Sequence, residues 1–377
     1  MRIAIDAHMV AQRETGNERY ILDLIAGLAR VDSENTYTLL VTEPEAVSKL
    51  EGLPANFAVE IVRPGANMPR LLWAIPQVCR RVQAQVLHTS YFAPPVCPCP
   101  RVVTVHDLSY EEFPEFFSPR DRYLLSWGVP VSCRLAARVI AVSTLTKQDL
   151  IRHYRIQPEK ISVVYEAAAA SFAAPVPSEE IDQVRVRFAG GRRYILSVGN
   201  ILPRKNLVRL VDAFQQLITD GTIREDTCLV IVGQAQWGSS EVFRRVEAYA
   251  LQDRVTFAGY VSDEELRALY RGAEVFVYPS LYEGFGLPPL EAMASEAPVV
   301  CSTSSCLPEI VGEAAELFDP YSVEALTAAL RNVLNSEARR HELVSAGLIR
   351  VGQFSWDQAA RQMVAIYQEV AGLLATG

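Results

Sequence analysis

No apolar run in these 377 residues reaches the roughly 18 to 20 needed to cross a bilayer as a helix. No Asp-x-Asp pair occurs, so the acidic clamp that would hold a divalent cation on a diphosphate is missing, and no metal or other cofactor is expected. There is no CxxC among the seven cysteines and no biased or repeated tract. Basic charge is also short: the net charge is -8, which argues against nucleic acid as a partner, because phosphate backbones demand a basic surface. At the first strand-to-helix corner, Thr15-Gly16-Asn17-Glu18-Arg19-Tyr20, one glycine stands where a dinucleotide-binding GxGxxG would have three, so a dehydrogenase is poorly supported.

The cysteines (Cys79, Cys97, Cys99, Cys133, Cys228, Cys301, Cys306) form an odd set, and all seven read as structural thiols, with Cys97-Pro98-Cys99 a proline-rich loop rather than a redox pair. Met1 to Asp6 already reads as a strand, so no signal peptide is expected and a reducing cytoplasm fits best. Leu71 to Val78 and Tyr123 to Val131 are short apolar segments flanked by arginines (Arg70, Arg80, Arg81; Arg120, Arg122, Arg134, Arg138). Each suits either a helix lying on the inner face of the cytoplasmic membrane or an ordinary amphipathic core helix. Residues 1 to 172 hold 18 Lys+Arg against 18 Asp+Glu, so the whole acidic excess lies in the second half, and the neutral first half could approach an anionic membrane or acceptor.

What is present is size and rhythm. Half the residues are apolar, and 377 residues exceed what one hydrophobic core supports, so two domains are expected. Short Val- and Ile-rich runs alternate with helical patterns throughout, which predicts parallel sheets covered by helices. Arg2 to Asp6, Tyr37 to Thr42, Val59 to Arg63, Val86 to His88, Val102 to His106, Val139 to Val142 and Ile161 to Val164 read as a first sheet. The segment from Glu166 to Gly191, rich in alanine and closing on Gly190-Gly191, breaks the rhythm and places the junction. Tyr194 to Val198, Cys228 to Val232, Val255 to Phe257, Val275 to Tyr278, Pro298 to Cys301 and Ala315 to Phe318 read as a second sheet. Ser262 with Glu265 forms a capping-box pattern at the start of a helix over 263–271. Two closing helices fall at about 323 to 334 and 356 to 374. The domains are therefore 1–172, 190–355 and a terminal helical segment 356–377.

Chemistry gathers at a few strand ends, where ligands of open α/β sheets sit. After Val275 to Tyr278 runs Pro279-Ser280-Leu281-Tyr282-Glu283-Gly284-Phe285-Gly286-Leu287-Pro288-Pro289-Leu290-Glu291. The glycines remove bulk at the turn and the prolines pre-set the first helical turn, so the amides of Phe285, Gly286 and Leu287 make an anion site assisted by the helix dipole. Glu283 in the loop and Glu291 on the first turn are placed to accept from the hydroxyls of a sugar and a ribose. After Tyr194 to Val198, Gly199-Asn200 leads into Pro203-Arg204-Lys205-Asn206, whose fork and point charge suit a pyrophosphate leaving group. His106, beside Asp107, can bond a sugar hydroxyl, work as acid or base with Asp107 orienting it, or be a buried structural histidine.

Together these residues resemble the retaining glycosyltransferases of family GT4, with the GT-B fold of two facing Rossmann-like domains and a central cleft. Val103-Thr104-Val105-His106-Asp107-Leu108-Ser109-Tyr110 and Ala141-Val142-Ser143 match its mannosyltransferase-like branch. The resemblance covers nearly the whole chain. It implies a nucleotide diphosphate sugar, GDP-mannose first and a UDP-sugar second, bound mainly by the second domain, and a glycan or lipid-linked acceptor at the first. It implies that Glu283 with Phe285, Gly286 and Leu287 holds the sugar, Glu291 the ribose, and Arg204 and Lys205 the phosphates. His106 would meet the sugar and Gly16 the phosphates, with Gly199 in the pyrophosphate turn and Gly233, Tyr260 and Val261 near the base. It implies retention by same-face attack with no side-chain nucleophile, and a last helix near Trp356 crossing back to the first domain. The chain departs from the pattern at Asn17-Glu18, where a second glycine is common, and at Glu166-Ala167-Ala168-Ala169-Ala170, where a glycine-bearing turn is usual. A nucleotide-sugar epimerase of similar architecture and a catalytically silent sugar-nucleotide-binding subunit are the other readings.

Overall fold

The computed structural model describes residues 1–12, 15–236 and 238–372, so the expected end of the last helix at 373–374 and the tail to 377 lie outside the described residues. Its contacts divide the chain into two units, residues 1–166 with 355 onward, and residues 167–354.

The first unit carries β1 (Arg2–Asp6), β2 (Thr36–Val41), β3 (Phe57–Ile61), β4 (Val86–Ser90), β5 (Arg101–Val105), β6 (Arg138–Ala141) and β7 (Ile161–Val163). They form one parallel sheet in the order β3-β2-β1-β4-β5-β6-β7. Both faces are covered by helices, which is why these strands read as continuous apolar runs rather than alternating ones. The last helix, Trp356–Gly372, belongs to this unit. It packs on Thr15–Val31, where a Cβ at Gly27 would lie 2.7 Å from the Trp356 carbonyl oxygen, so only glycine admits this approach. Tyr367 at its far end bonds His88 Nδ1 of β4 at 2.7 Å.

The second unit carries β8 (Arg193–Val198), β9 (Thr227–Val232), β10 (Val255–Gly259), β11 (Val275–Tyr278), β12 (Val299–Ser302) and β13 (Glu316–Phe318). Their order is β10-β9-β8-β11-β12-β13, again parallel, around a core that includes Leu210, Phe214, Ile231, Val277, Val300 and Leu330. The capping box is present: Ser262 Oγ accepts from Glu265 N at 3.2 Å and Glu265 accepts from Ser262 N at 3.1 Å.

Three sequence readings shift. The contact boundary falls after Glu166 rather than 172, because 167–191 contains a helix, Ser178–Ala189, that packs within the second unit; the other boundary precedes Ser355. A helix over Glu337–Val351 was not foreseen: it buries only Leu343 and Gly347, too few apolar positions to write a 3.6-residue stripe. The two arginine-flanked segments separate. In the first, Leu71, Ala74, Ile75 and Val78 lie in the core and Arg70 is buried rather than flanking a lipid face, while Leu72 and Trp73 are exposed. On the helix Pro119–Leu135, by contrast, Tyr123, Trp127, Val131 and Leu135 are exposed along one i, i+4 stripe, with exposed Leu124 beside it.

Candidate active site

In an all-parallel sheet the carboxyl ends of the strands share one edge, and the connection reverses direction between β8 and β11, making that pair the switch point of the second unit. The loops that follow these two neighbours carry the charged residues. After β8, Gly199 adopts φ +141°, a short helical turn spans Pro203–Lys205, and Asn206 closes it in the left-handed region at φ 58°. Asn206 is buried, and its amide donates to Pro279 O at 3.0 Å and Pro320 O at 2.8 Å, which fastens this turn to the loop after β11. Leu281 N donates to Arg204 O at 2.9 Å, adding a second tie.

The ties bring Arg204 and Lys205 onto Glu283. Arg204 Nη1 lies 2.8 Å from Glu283 Oε2, Lys205 Nζ lies 2.6 Å from Oε1, and Ser280 Oγ donates to the same Oε1. Lys205 Nζ also donates to the Tyr278 hydroxyl at 2.6 Å, and Arg204 Nη1 to Tyr282 O at 2.6 Å. Burial alone would raise the Glu283 carboxyl, but the charges of Arg204 and Lys205, with hydrogen bonds from Lys205 and Ser280, hold it down at about 2. Burial first and the Glu283 charge second push the Tyr278 hydroxyl well above its ordinary range, so it stays protonated. Two cations on one carboxylate leave a net positive charge in a water-poor place, which suits a developing anion.

The helix Leu287–Ala294 starts beside this cluster. Gly286 is its N-cap at φ 103°, and no side chain caps it. A Cβ at Gly286 would also meet Leu307 Cδ2 at 2.8 Å, so conformation and space both require glycine. Pro288 and Pro289 have no N–H, which concentrates the helix-start donors on the Gly286 and Leu287 amides. Cys306 Sγ bonds Phe285 O at 3.0 Å and Glu283 O at 3.2 Å, and Glu283 N donates to Ser305 Oγ at 2.9 Å, which fixes the turn. Glu291 is the fifth residue of this helix, on its second turn rather than its first, and accepts from the buried Tyr270 hydroxyl at 3.1 Å.

Gly233 and Tyr260 follow β9 and β10, on the same edge. A Cβ at Gly233 would sit 2.1 Å from Gly199 O, so this glycine is required by the packing of two strand ends, with no ligand needed to explain it. Tyr260 is 68% exposed and Val261 is buried.

On the first unit, His106 follows β5 and is buried. The expected orienting role of Asp107 is corrected: its carboxylate accepts from Ser109 N at 3.0 Å and Ser109 Oγ at 2.7 Å. Glu166 stands at His106 instead, with its Oε1 3.2 Å from Nδ1. A proton on Nδ1 shared with Glu166 leaves the lone pair on Nε2, which is buried and has no hydrogen-bond partner among the described residues. Sequence spacing gave no sign of Glu166, sixty positions away at the head of an alanine run. Gly16 lies in the first turn of Thr15–Val31, exposed and with open space around it, so nothing in the chain itself demands glycine there. Glu18, where a second glycine is common, is engaged internally by Ala11 N at 2.9 Å and Lys49 Nζ at 2.5 Å.

A further buried group at the β1–β4 switch point escaped sequence reasoning. Asp6, at the end of β1, takes His8 Nδ1 at 3.1 Å and an ion pair with Arg70. Burial raises its carboxyl, but His8 and Arg70 together carry it well below the ordinary carboxylate range. Tyr278, Ser280 and Glu166 were likewise missed, being ordinary in type and marked by no spacing.

Residues 178–349 match the family model of glycosyl transferases group 1, and residues 15–168 match that of glycosyltransferase family 4. The O-antigen chain mannosyltransferase B of Escherichia coli is 33% identical over 268 residues, covering 71% of this chain and 70% of that protein. The MMP alpha-(1->4)-mannosyltransferase of Mycolicibacterium hassiacum is 32% identical over 246 residues, 64% of this chain and 56% of the relative. The fold is shared with a sucrose-phosphate synthase from Thermosynechococcus elongatus, at a TM-score of 0.77 and 22% identity over 100% of this chain and 99% of that one.

Proposed function

Since the chain belongs to the family 4 glycosyltransferases and has the GT-B fold, we propose that it transfers mannose from GDP-mannose to a glycan or lipid-linked acceptor in polysaccharide biosynthesis. The observation that carries the donor half is the clasp of Glu283 by Arg204 and Lys205 beside the Gly286–Leu287 helix start. The diphosphate takes the two cations and the helix-start amides, which already face charge and need little reorganisation. Glu283 accepts from a sugar hydroxyl, and Glu291 accepts from the ribose. On the first unit, His106, with Glu166 on Nδ1, offers Nε2 to a sugar hydroxyl, and the exposed backbone at Gly16 is open to a phosphate. No divalent cation is required, because Arg204 and Lys205 carry the leaving-group charge.

Transfer proceeds with retention. The bond from the anomeric carbon to the phosphate oxygen breaks, the acceptor oxygen forms its bond on the same face, and the acceptor proton passes to the leaving phosphate. Mannose is favoured by the two mannosyltransferase relatives. A panel of GDP-mannose, UDP-glucose and UDP-galactose, with the product anomer read by NMR, tests this. Turnover of GDP-mannose alone with an axial, retained linkage is expected; a preferred UDP-sugar or an inverted product contradicts it. In the same assay Glu291→Ala should raise the donor KM about tenfold or more with a smaller change in kcat, the loss of one charged hydrogen bond to the ribose.

For the lipid-linked acceptor, the exposed stripe Tyr123, Trp127 and Val131, with Leu124 beside it and exposed Arg120 and Arg122 at its start, supports a seat on the inner face of the cytoplasmic membrane. No helix among the described residues is long and apolar enough to cross the bilayer. Cosedimentation with vesicles containing phosphatidylglycerol should be strong for the wild type and much reduced for Trp127→Ser; equal pelleting of both would remove this face from the account.

A further inference from the structure

Three of the seven thiols converge. The sulfur atoms of Cys79, Cys97 and Cys99 all lie within 4.8 Å of one another, with Cys97 and Cys99 Sγ 3.6 Å apart. Cys79 comes from the helix Ile75–Arg81, and the other two from the loop that joins β4 to β5. That loop is stiff. Pro94, Pro95, Pro98 and Pro100 each fix a φ angle, and Arg101 Nη1 donates to Pro94 O and Pro95 O at 3.0 Å each. Cys79 and Cys99 are buried and Cys97 is half-buried.

Packing alone does not call for this arrangement. A buried cysteine behaves as a small apolar residue or bonds a nearby backbone carbonyl, and the other four, Cys133, Cys228, Cys301 and Cys306, are buried without joining a three-sulfur cluster. Three sulfurs at one point match another geometry: metal–sulfur bonds of about 2.3 Å at tetrahedral angles set sulfur atoms roughly 3.8 Å apart. The observed cluster needs only small closing movements to reach it. Helix, loop and sheet are already in place around it, so the ligands are pre-positioned.

We propose that Cys79, Cys97 and Cys99 form a three-thiolate site for a soft divalent metal ion of the zinc class, with a fourth position left to water on the side of the half-buried Cys97. Soft thiolates select such an ion over magnesium or calcium. Binding replaces three thiol protons: three S–H bonds break, three metal–sulfur bonds form, and three protons go to solvent. The complex then carries one net negative charge, and Arg101 adjoins the loop with its Nε buried and without a hydrogen-bond partner among the described residues. The ion ties the helix Ile75–Arg81 to the β4–β5 loop. The cluster belongs to the first unit and its loop precedes β5, whereas His106 follows β5 at the other end of that strand. The only other group of this kind among the described residues, Glu112 with Asp149 and His153, is already bridged by Arg152 to both acids and is a weaker candidate.

The whole chain, stripped with chelator under reducing conditions and dialysed against excess zinc(II), should retain one equivalent per chain by elemental analysis. Cobalt(II) in its place should give thiolate-to-cobalt charge-transfer absorption and the visible bands of tetrahedral coordination. Cys97→Ser, at the most accessible and least packed of the three positions, should fold normally by circular dichroism and lose both signals. Cys79→Ser should lose them too, and Cys228→Ser should keep them. Retention of no metal by the wild type, or signals that survive in Cys97→Ser, overturns the site. So does a Cys97–Cys99 disulfide found by mass spectrometry in protein prepared without oxidant, which would make the pair a redox device instead. Because none of these readouts involves donor or acceptor, they stand apart from the test of sugar transfer.

Discussion

Lys205→Ala is expected to lower kcat by roughly 10²- to 10³-fold, the cost of removing one preorganised charge from a site where negative charge develops. Lys205 Nζ is nearly buried and is held by Glu283 and the Tyr278 hydroxyl at 2.6 Å each, so it is fixed in direction before any ligand arrives. Fixed charge is what stabilises a leaving diphosphate, because nothing has to rotate or shed water as the bond breaks. The same variant should raise the donor KM much less than it lowers kcat, since in the proposed site Arg204 and the Gly286–Leu287 amides would still hold the ground-state phosphates. Glu283 keeps Arg204 at 2.8 Å, so no bare buried carboxylate is left and the fold should survive. Lys205→Arg should recover only part of the rate: a planar fork cannot take the place of a point charge that sits over the Tyr278 ring at 4.8 Å. Steady-state kinetics on the three proteins separates these outcomes, and an unchanged kcat in Lys205→Ala would remove the residue from the reaction.

Glu283→Gln is the second large effect and acts on stability as well as rate. The carboxylate is the common partner of Arg204 and Lys205, and Gln leaves two neighbouring cations with no counter-charge in a buried place. Holding the carboxyl at about 2 instead of its ordinary 4.5 corresponds to stabilisation on the order of 3 kcal/mol, in line with the handicap of breaking a buried pair. The sign follows from the depressed value. The contribution is fully present above about pH 4.5 and is lost as pH falls toward 2, because the proton then binds the unfolded chain before the folded one. Urea midpoints of wild type and Glu283→Gln should therefore differ widely at pH 7 and draw together as the buffer is acidified. A gap independent of pH would mean that the substitution acts through packing. Turnover should fall by at least tenfold, because the neutral amide neither accepts from the sugar hydroxyl as strongly nor positions the two cations.

The parallel sheets were legible because strands covered on both faces are written as uninterrupted apolar runs, and Tyr194 to Val198 or Val275 to Tyr278 can be read straight from the chain. Arg204, Lys205 and Glu283 were legible for a related reason: glycines and prolines mark the strand ends, and charge at a strand end is unusual. What the sequence could not carry was pairing at a distance. His106 is oriented by Glu166 rather than its neighbour Asp107, and Asp6 is neutralised by Arg70 from sixty-four positions away. Arg70 reads as a membrane flank because its pattern is that of a helix edge, and its ion pair with Asp6 at the end of β1 shows why it is buried. The helix Glu337–Val351 fell below notice because it contributes two buried residues to a core already formed. Cys79 and Cys97-Pro98-Cys99 read as unrelated thiols until the chain brought a helix against a loop.

In the proposed function the edge at β8 and β11 binds a nucleoside diphosphate, with Arg204 and Lys205 supplying the charge. Isothermal titration of GDP into wild type and into the Arg204→Ala/Lys205→Ala double variant, in the presence of chelator, tests it most directly. One site per chain is expected in the wild type, with affinity at least a hundredfold weaker in the variant. Equal affinity in the two proteins would contradict it.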